Sequence, residues 1–367
     1  MSKLIACLTS PEIAELYQPS DWQELMREAR VTGLLGRLHY VFESNHIELP
    51  NYVQWHFASA AKIAKKQQQQ LRLEVIELTS LLSPHFSVCF LKGASYYLSN
   101  LDCSQGRIAS DIDILVPYKS ILNIEFTLKT RGWMPTKDDE YDDYYYRQWM
   151  HEIAPLIHHE RHTILDVHHN ILPLTNRQCP DASKFDYQTV SLPYGDIKVL
   201  SKLDTIIHSA SHLFSESEFH TGLRNLSDID MMLRQFVSED ADFVASLIAR
   251  AKSLGLQHYL HLALRYCHMI FNTPVLTEQH YAQQSRQMMP AKLWIYDQCF
   301  MRIFKPKSLY QPTWQDVLAT TILYWRGHIL RMPLRLLLPH LLRKAANQLI
   351  EKITDNSLFK KNQQTIG

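Results

Sequence analysis

Two aspartates one residue apart, Asp111 and Asp113, follow a Lys92-Gly93-Ala94-Ser95 turn in this chain. Residues 88–91, Val-Cys-Phe-Leu, form an apolar run short enough for a buried strand. The run stops at Lys92-Gly93. Glycine takes backbone angles closed to residues with a Cβ, so Gly93 is expected to carry a sharp turn. Residues 94–101 predict one or two helical turns. A strand that turns into a helix points free backbone N–H groups at one spot, and such a spot attracts phosphate. Gly93 and Ser95 are the candidate cradle. The alternative is a plain tight turn. Lys92 either contacts phosphate or covers the sheet edge. Arg107 either clamps phosphate or pairs with Asp111, since a guanidinium suits both.

On a strand, residues two apart share a side, so Asp111 and Asp113 project together while Ile112 and Ile114 enter a core. Adjacent carboxylates repel unless a cation or proton lies between them. A hard divalent ion is the natural occupant, and Mg²⁺ in particular suits one or two carboxylates plus substrate phosphates. An edge strand with a polar face is the bland reading. The Lys-Gly-x-Ser turn and the apolar neighbours favour the metal. A second strand, residues 163–169, carries one acid, Asp166, in an apolar register. A mid-strand acid is costly unless paired or metal-bound. His168 shares its face and His169 points away.

These residues resemble the DNA polymerase β-type nucleotidyltransferase superfamily, with its small-residue turn and Asp-x-Asp strand. More narrowly, Leu91-Lys92-Gly93, Ser95, Arg107 and Ser110-Asp111-Ile112-Asp113-Ile114-Leu115-Val116 resemble an uncharacterised bacterial nucleotidyltransferase family. The resemblance implies Asp166 as the third acid beside Asp111 and Asp113. It implies a nucleotide-binding set of Lys92, Gly93, Ser95, Arg107 and Ser110. It also implies two Mg²⁺ or Mn²⁺ ions, a nucleoside triphosphate as donor and pyrophosphate as product. His168 in Asp-x-His, His208 and His212 on one helix, and Arg224 and Asp228 on the next would face the acceptor or support the site. The acceptor is open: a sugar, a protein side chain or RNA. A catalytically silent relative that only binds nucleotide or a partner is the main rival. Transfer to tRNA or other RNA ends is another.

The elements around this unit are mostly helical. Residues 1–50 predict helices, with starts at Ser10-Pro11-Glu12 and Ser20-Asp21. Residues 51–82 predict one long helix, with Leu71, Val75, Leu78 and Leu82 on one apolar face and Gln67–Gln70 solvated. Ser83-Pro84 ends it. Residues 120–129 predict a helix on the sheet. The acids Asp138, Asp139, Glu140, Asp142 and Asp143 read as an exposed loop. Residues 144–150, 152–157 and 163–169 predict strands in hairpins. His158, His159 and His162 crowd one turn but match no zinc spacing. Beyond residue 196 almost no strand is expected. Ser201 caps a helix with Asp204 at its third position, and helices follow at 238–254, 256–271, 290–304 and 314–330.

Net charge of +1 argues against a broad nucleic-acid surface. Six scattered cysteines without a Cys-x-x-Cys pair argue against disulfide or zinc frameworks and for a reducing, cytoplasmic setting. Residues 317–350 lack Asp and Glu but hold Arg326, Arg331, Arg335, Arg343 and Lys344. Residues 326–344 therefore suggest either a weak membrane or polyanion contact or a packed amphipathic helix. No apolar run approaches the roughly 20 residues of a transmembrane span. The expected fold is α+β: a helical region at 1–84, a mixed-sheet nucleotidyltransferase core at 85–200, a helical region at 201–350 and a frayed tail at 351–367.

Overall fold

The computed structural model describes residues 2–109, 111–136, 140–274, 289–306, 312–339 and 341. The fold is α+β, with helices flanking a mixed seven-stranded sheet. Helices α1 (Lys3–Thr9), α2 (Pro19–Val31), α3 (Leu35–Ser44) and α4 (Asn51–Leu82) come first. The core unit follows as β1 (Cys89–Phe90), α5 (Lys92–Leu98), β2 (Asp111–Leu115), α6 (Ile121–Lys129), β3 (Trp133–Pro135), α7 (Glu140–Trp149), β4 (Leu156–His158) and β5 (Ile164–His168). A hairpin, β6 (Tyr187–Leu192) and β7 (Gly195–Leu200), closes the sheet. Then come α8 (Lys202–Ser215), α9 (Gly222–Glu239), α10 (Phe243–Ser253), α11 (Gln257–Phe271), α12 (Pro290–Ile303) and α13 (Trp314–Arg331). The strands lie in the order β3-β4-β5-β2-β1-β7-β6.

Each sheet face has its own core. On one side, Leu71, Val75, Leu78 and Leu82 of α4 and Ile124 and Leu128 of α6 cover Ile112, Ile114, Leu165 and Val167. The apolar face expected on α4 is thus the face that meets the sheet. On the other side, Cys89, Leu115 and Leu200 meet a helical core that joins Trp22, Leu38 and Phe57 to Ile206, Leu226, Leu262 and Phe300. The helices before and after the sheet therefore share one interior. Among the described residues no helix is long and apolar enough to cross a membrane.

Several elements differ from the sequence expectation. Residues 144–150 read as a strand because Tyr and Trp favour sheets, yet they lie in α7. The i,i+4 pair Asp143–Arg147 at 2.7 Å and the Tyr145–Trp149 ring contact at 5.8 Å hold the helix. Arg147 also pairs with Glu125 of α6 at 2.9 Å. Of the acids around this helix, Asp138 and Asp139 lie outside the described residues. The β6–β7 hairpin runs past residue 196, where almost no strand was expected. Its outer strand alternates half-buried and exposed residues and so lacks an apolar run. Residues 238–254 are two helices rather than one, broken where Asp240 Oδ1 accepts from the Asp242 N–H at 2.9 Å.

The basic C-terminal stretch is partly turned inward. Arg326 donates to the Phe214 carbonyl at 2.7 Å and lies over the Tyr296 ring. Arg331 pairs with Glu216. Arg335 is exposed, while Arg343 and Lys344 lie outside the described residues.

One close approach joins α3 to the loop before β2. A Cβ on Gly36 would stand 2.4 Å from the Gly106 carbonyl oxygen, and Gly106 itself has φ +65°. Both partners are backbone, so neither yields as a flexible side chain would. Gly36→Ala is expected to cost about 1–3 kcal/mol. Chemical denaturation measures this, and an unshifted midpoint would show that helix and loop separate without cost.

Candidate active site

The turn after β1 forms differently from the sequence expectation. Lys92, not Gly93, takes the left-handed conformation, with φ +42°. Gly93 lies inside α5, and its lack of a side chain serves space. A Cβ there would meet Arg107 Nη1 at 2.6 Å and Ala109 Cβ at 3.0 Å. The bend turns Lys92 back over β2, where Nζ lies 2.6 Å from Asp113 Oδ1. The Ser95 hydroxyl donates to the Lys92 carbonyl at 3.0 Å and steadies the bend. Ser110 lies outside the described residues.

Strands β2 and β5 run parallel, with Asp113 opposite Asp166 and Ile112 opposite Leu165. Partners in register share a face, so the two carboxylates meet while their neighbours enter the core. Asp113 is buried and Oδ1 also takes His168 Nε2 at 3.0 Å. His168 Nδ1 lies 3.1 Å from Glu152 Oε2, so the ring spans two acids. Asp166 Oδ1 is buried with no hydrogen-bond partner. Asp111, one register step from the pair, is exposed and lines the same cavity.

Burial alone would raise the Asp113 pKa, but Lys92 and His168 outweigh it and hold the carboxyl well below the usual range. At Asp166 the same two groups do not outweigh the rest. Burial first, then Asp113 and Glu152, push it up to about 7. Burial would also strip the charge from His168, yet Glu152 and Asp113 leave it raised.

The opposite wall comes from the helical region. The cavity, about 260 Å³, is lined by Lys92, Gly93, Arg107, Asp111, Asp113 and Asp166 from the sheet side and by Ser209, His212 and Arg224 from α8 and α9. Arg107 does not pair with Asp111. Its Nε donates to Asp228 Oδ2 at 2.9 Å, and the other Asp228 oxygen binds Arg37 Nη2 at 2.5 Å. The sequence reading offered phosphate or Asp111 as the partner of Arg107, and the fold supplies Asp228 of α9. Among the described residues Arg224 makes long contacts, 3.4 Å to the Ile108 carbonyl and 3.5 Å to Asn225 Oδ1, and its buried Nε has no partner there. Burial and then Arg107 lower its pKa to about 10. A guanidinium so placed is open to an anion. His212 lines the cavity and His208 is buried behind it, their rings 6.3 Å apart. Burial and then Lys92 lower both pKa values.

Sequence reasoning missed Glu152, Ser209 and Arg37. Glu152 read as the start of a strand, and an isolated bridge to His168 brings it into the site. Arg37 sits in an otherwise ordinary helix, and no local signal marks it. The histidine turn at 158–162 holds no ligand group of three among the described residues. The groups that form are Asp113-Asp166-His168 and His151-Glu152-His168, each within 4.8 Å. The donor set fits a hard divalent cation, because Asp166 Oδ1 is buried and unpartnered beside a second carboxylate.

Acids on paired strands thus face basic side chains across a small cavity. Residues 18–272 match the family described as uncharacterised nucleotidyltransferase, and the chain belongs to that family. No curated protein matches the chain.

The raised Asp166 carboxyl has a measurable consequence in cation-free protein. Its folded value of about 7 exceeds the unfolded value of about 3.9. Its contribution to stability is then fully present below pH of about 3.9 and lost as pH rises through about 7. Thermal melts in chelator are expected to fall across that window, and Asp166→Asn to flatten the fall. An identical profile in the variant would place the titration elsewhere.

Proposed function

We propose that the chain moves a nucleoside monophosphate from a nucleoside triphosphate to an acceptor hydroxyl, with Mg²⁺ as cofactor. The observation behind this reading is the unpartnered Asp166 oxygen beside Asp113, opposite the under-bonded Arg224. Carboxylates attract the cation, and arginines attract the phosphates that come with it. Asp111, Asp113 and Asp166 would hold the cation. Mg²⁺ held there would screen phosphate charge and would make the attacking hydroxyl more acidic.

Arg107 and Arg224 hold the phosphates that leave. Arg107 is itself fixed by Asp228, so its guanidinium is pre-oriented, which cuts the cost of ordering it on binding. Glu152 and His168 fix the orientation of Asp113. The acceptor hydroxyl gives its proton to water, its oxygen attacks the α-phosphorus to form a new P–O bond, and the bond to the bridging oxygen breaks to release pyrophosphate. His212 and Ser209, on the same wall as Arg224, are placed to meet the acceptor. Acceptor identity lies with whatever fills the space beside Asp111.

The test is incubation with each α-labelled triphosphate, Mg²⁺ and cell extract. Label is expected on an acceptor, with pyrophosphate released in equal amount. Binding of triphosphate without pyrophosphate release would favour the silent relative. Asp111→Asn, Asp113→Asn and Asp166→Asn are each expected to lower kcat by at least about 100-fold. Arg224→Ala is expected to weaken triphosphate binding by about 10- to 100-fold, the scale of a lost charge-assisted hydrogen bond. Calorimetry measures the second. Equal weakening of monophosphate binding would place Arg224 away from the leaving phosphates.

A further inference from the structure

The Lys92 ammonium stands inside the acid cluster, not on the basic wall. Its 2.6 Å contact to Asp113 Oδ1 shares that oxygen with His168 Nε2 at 3.0 Å. A carboxylate that bridges two metal ions offers one oxygen to each. Asp113 has one oxygen already taken by two donors and therefore has one left to give. The Lys92 position is also built in. Its φ of +42° is a backbone conformation that residues with a Cβ seldom adopt. Ser95 ties the same turn through the Lys92 carbonyl at 3.0 Å. A lysine held by a left-handed bend and a buried partner is not a side chain free to swing across the cavity.

Given the nucleotidyl transfer proposed above, we propose that Lys92 takes the place of one of the two divalent ions expected for this chemistry. The site then works with a single ion, held by Asp111, Asp166 and the remaining oxygen of Asp113. An ammonium carries three donors. One serves Asp113, and Lys92 lines the cavity, so the others can meet an oxygen of the bound phosphate. Lys92 thus contributes fixed positive charge where a second ion would otherwise sit. Its role differs from that of Arg107 and Arg224, which stand on the far wall.

The experiment counts Mn²⁺ by electron paramagnetic resonance at saturating metal, with an α,β-methylene triphosphate present. The wild-type protein is expected to bind one Mn²⁺ per chain, and Lys92→Met to bind two. Circular dichroism checks that the variant folds; if it does not, the wild-type count decides. Two Mn²⁺ per wild-type chain would overturn the inference, as would a folded Lys92→Met variant that still binds one. Calorimetry of the analogue with Mn²⁺ separates the two readings. No binding would sink the proposed function and this inference with it, whereas binding with two ions would sink this inference only.

Discussion

The parallel register of β2 on β5 is the constraint around which the rest is built. It sets Asp113 directly beside Asp166 on one sheet face. Two carboxylates so close cannot both be charged in a poorly hydrated place without help. Asp113 receives that help through direct contacts with Lys92 and His168, whereas Asp166 Oδ1 has no hydrogen-bond partner. The pair is therefore polarised before any ligand arrives: the pKa of one acid is pulled down and that of its neighbour is pushed up to about 7. A carboxyl in that condition is stabilised by whatever cation displaces the proton. The same register sends Ile112, Ile114, Leu165 and Val167 into the opposite core, so slipping the strands would expose the core and bury the acids together.

A second constraint joins the sheet to the helices. Asp228 of α9 binds Arg37 of α3 and Arg107 of the loop before β2. Arg37 is almost wholly buried and also reaches the Cys103 carbonyl and the Ser227 hydroxyl. Buried ion pairs of this kind add little net stability over apolar packing, but losing one partner is costly. Their use here is positional. Three parts of the chain, distant in sequence, are held in one arrangement, and Arg107 and Arg224 end at a fixed distance from the acids. The helices before and after the sheet share one hydrophobic interior, which supplies the stability that this polar junction does not.

Much of the site was readable in the sequence because its signals are local. Asp-x-Asp on a strand, an acid in a second apolar strand and the flanking apolar alternation all follow from a period of two. The long helix at 51–82 and its sheet-facing residues follow from a period near 3.6. The failures are as instructive. Residues 144–150 favour a strand by composition, but a helix wins through Asp143–Arg147 and the contact to Glu125. Gly93 was credited with the turn because glycine usually makes it. The fold instead strains Lys92 and uses Gly93 to let Arg107 approach.

The sequence alone marked the candidates for chemistry: the aspartates, the lysine-glycine turn and the helical arginine-aspartate pair. It also determined the α+β class, since periodicity is a property of neighbours along the chain. Only the tertiary structure decided partnership. That Arg107 answers to Asp228, that Lys92 sits on Asp113, and that Glu152 and Arg37 belong to the site at all depend on contacts between segments far apart in the chain. Electrostatic partnership falls off with distance in space and is blind to separation in sequence, so no local pattern records it.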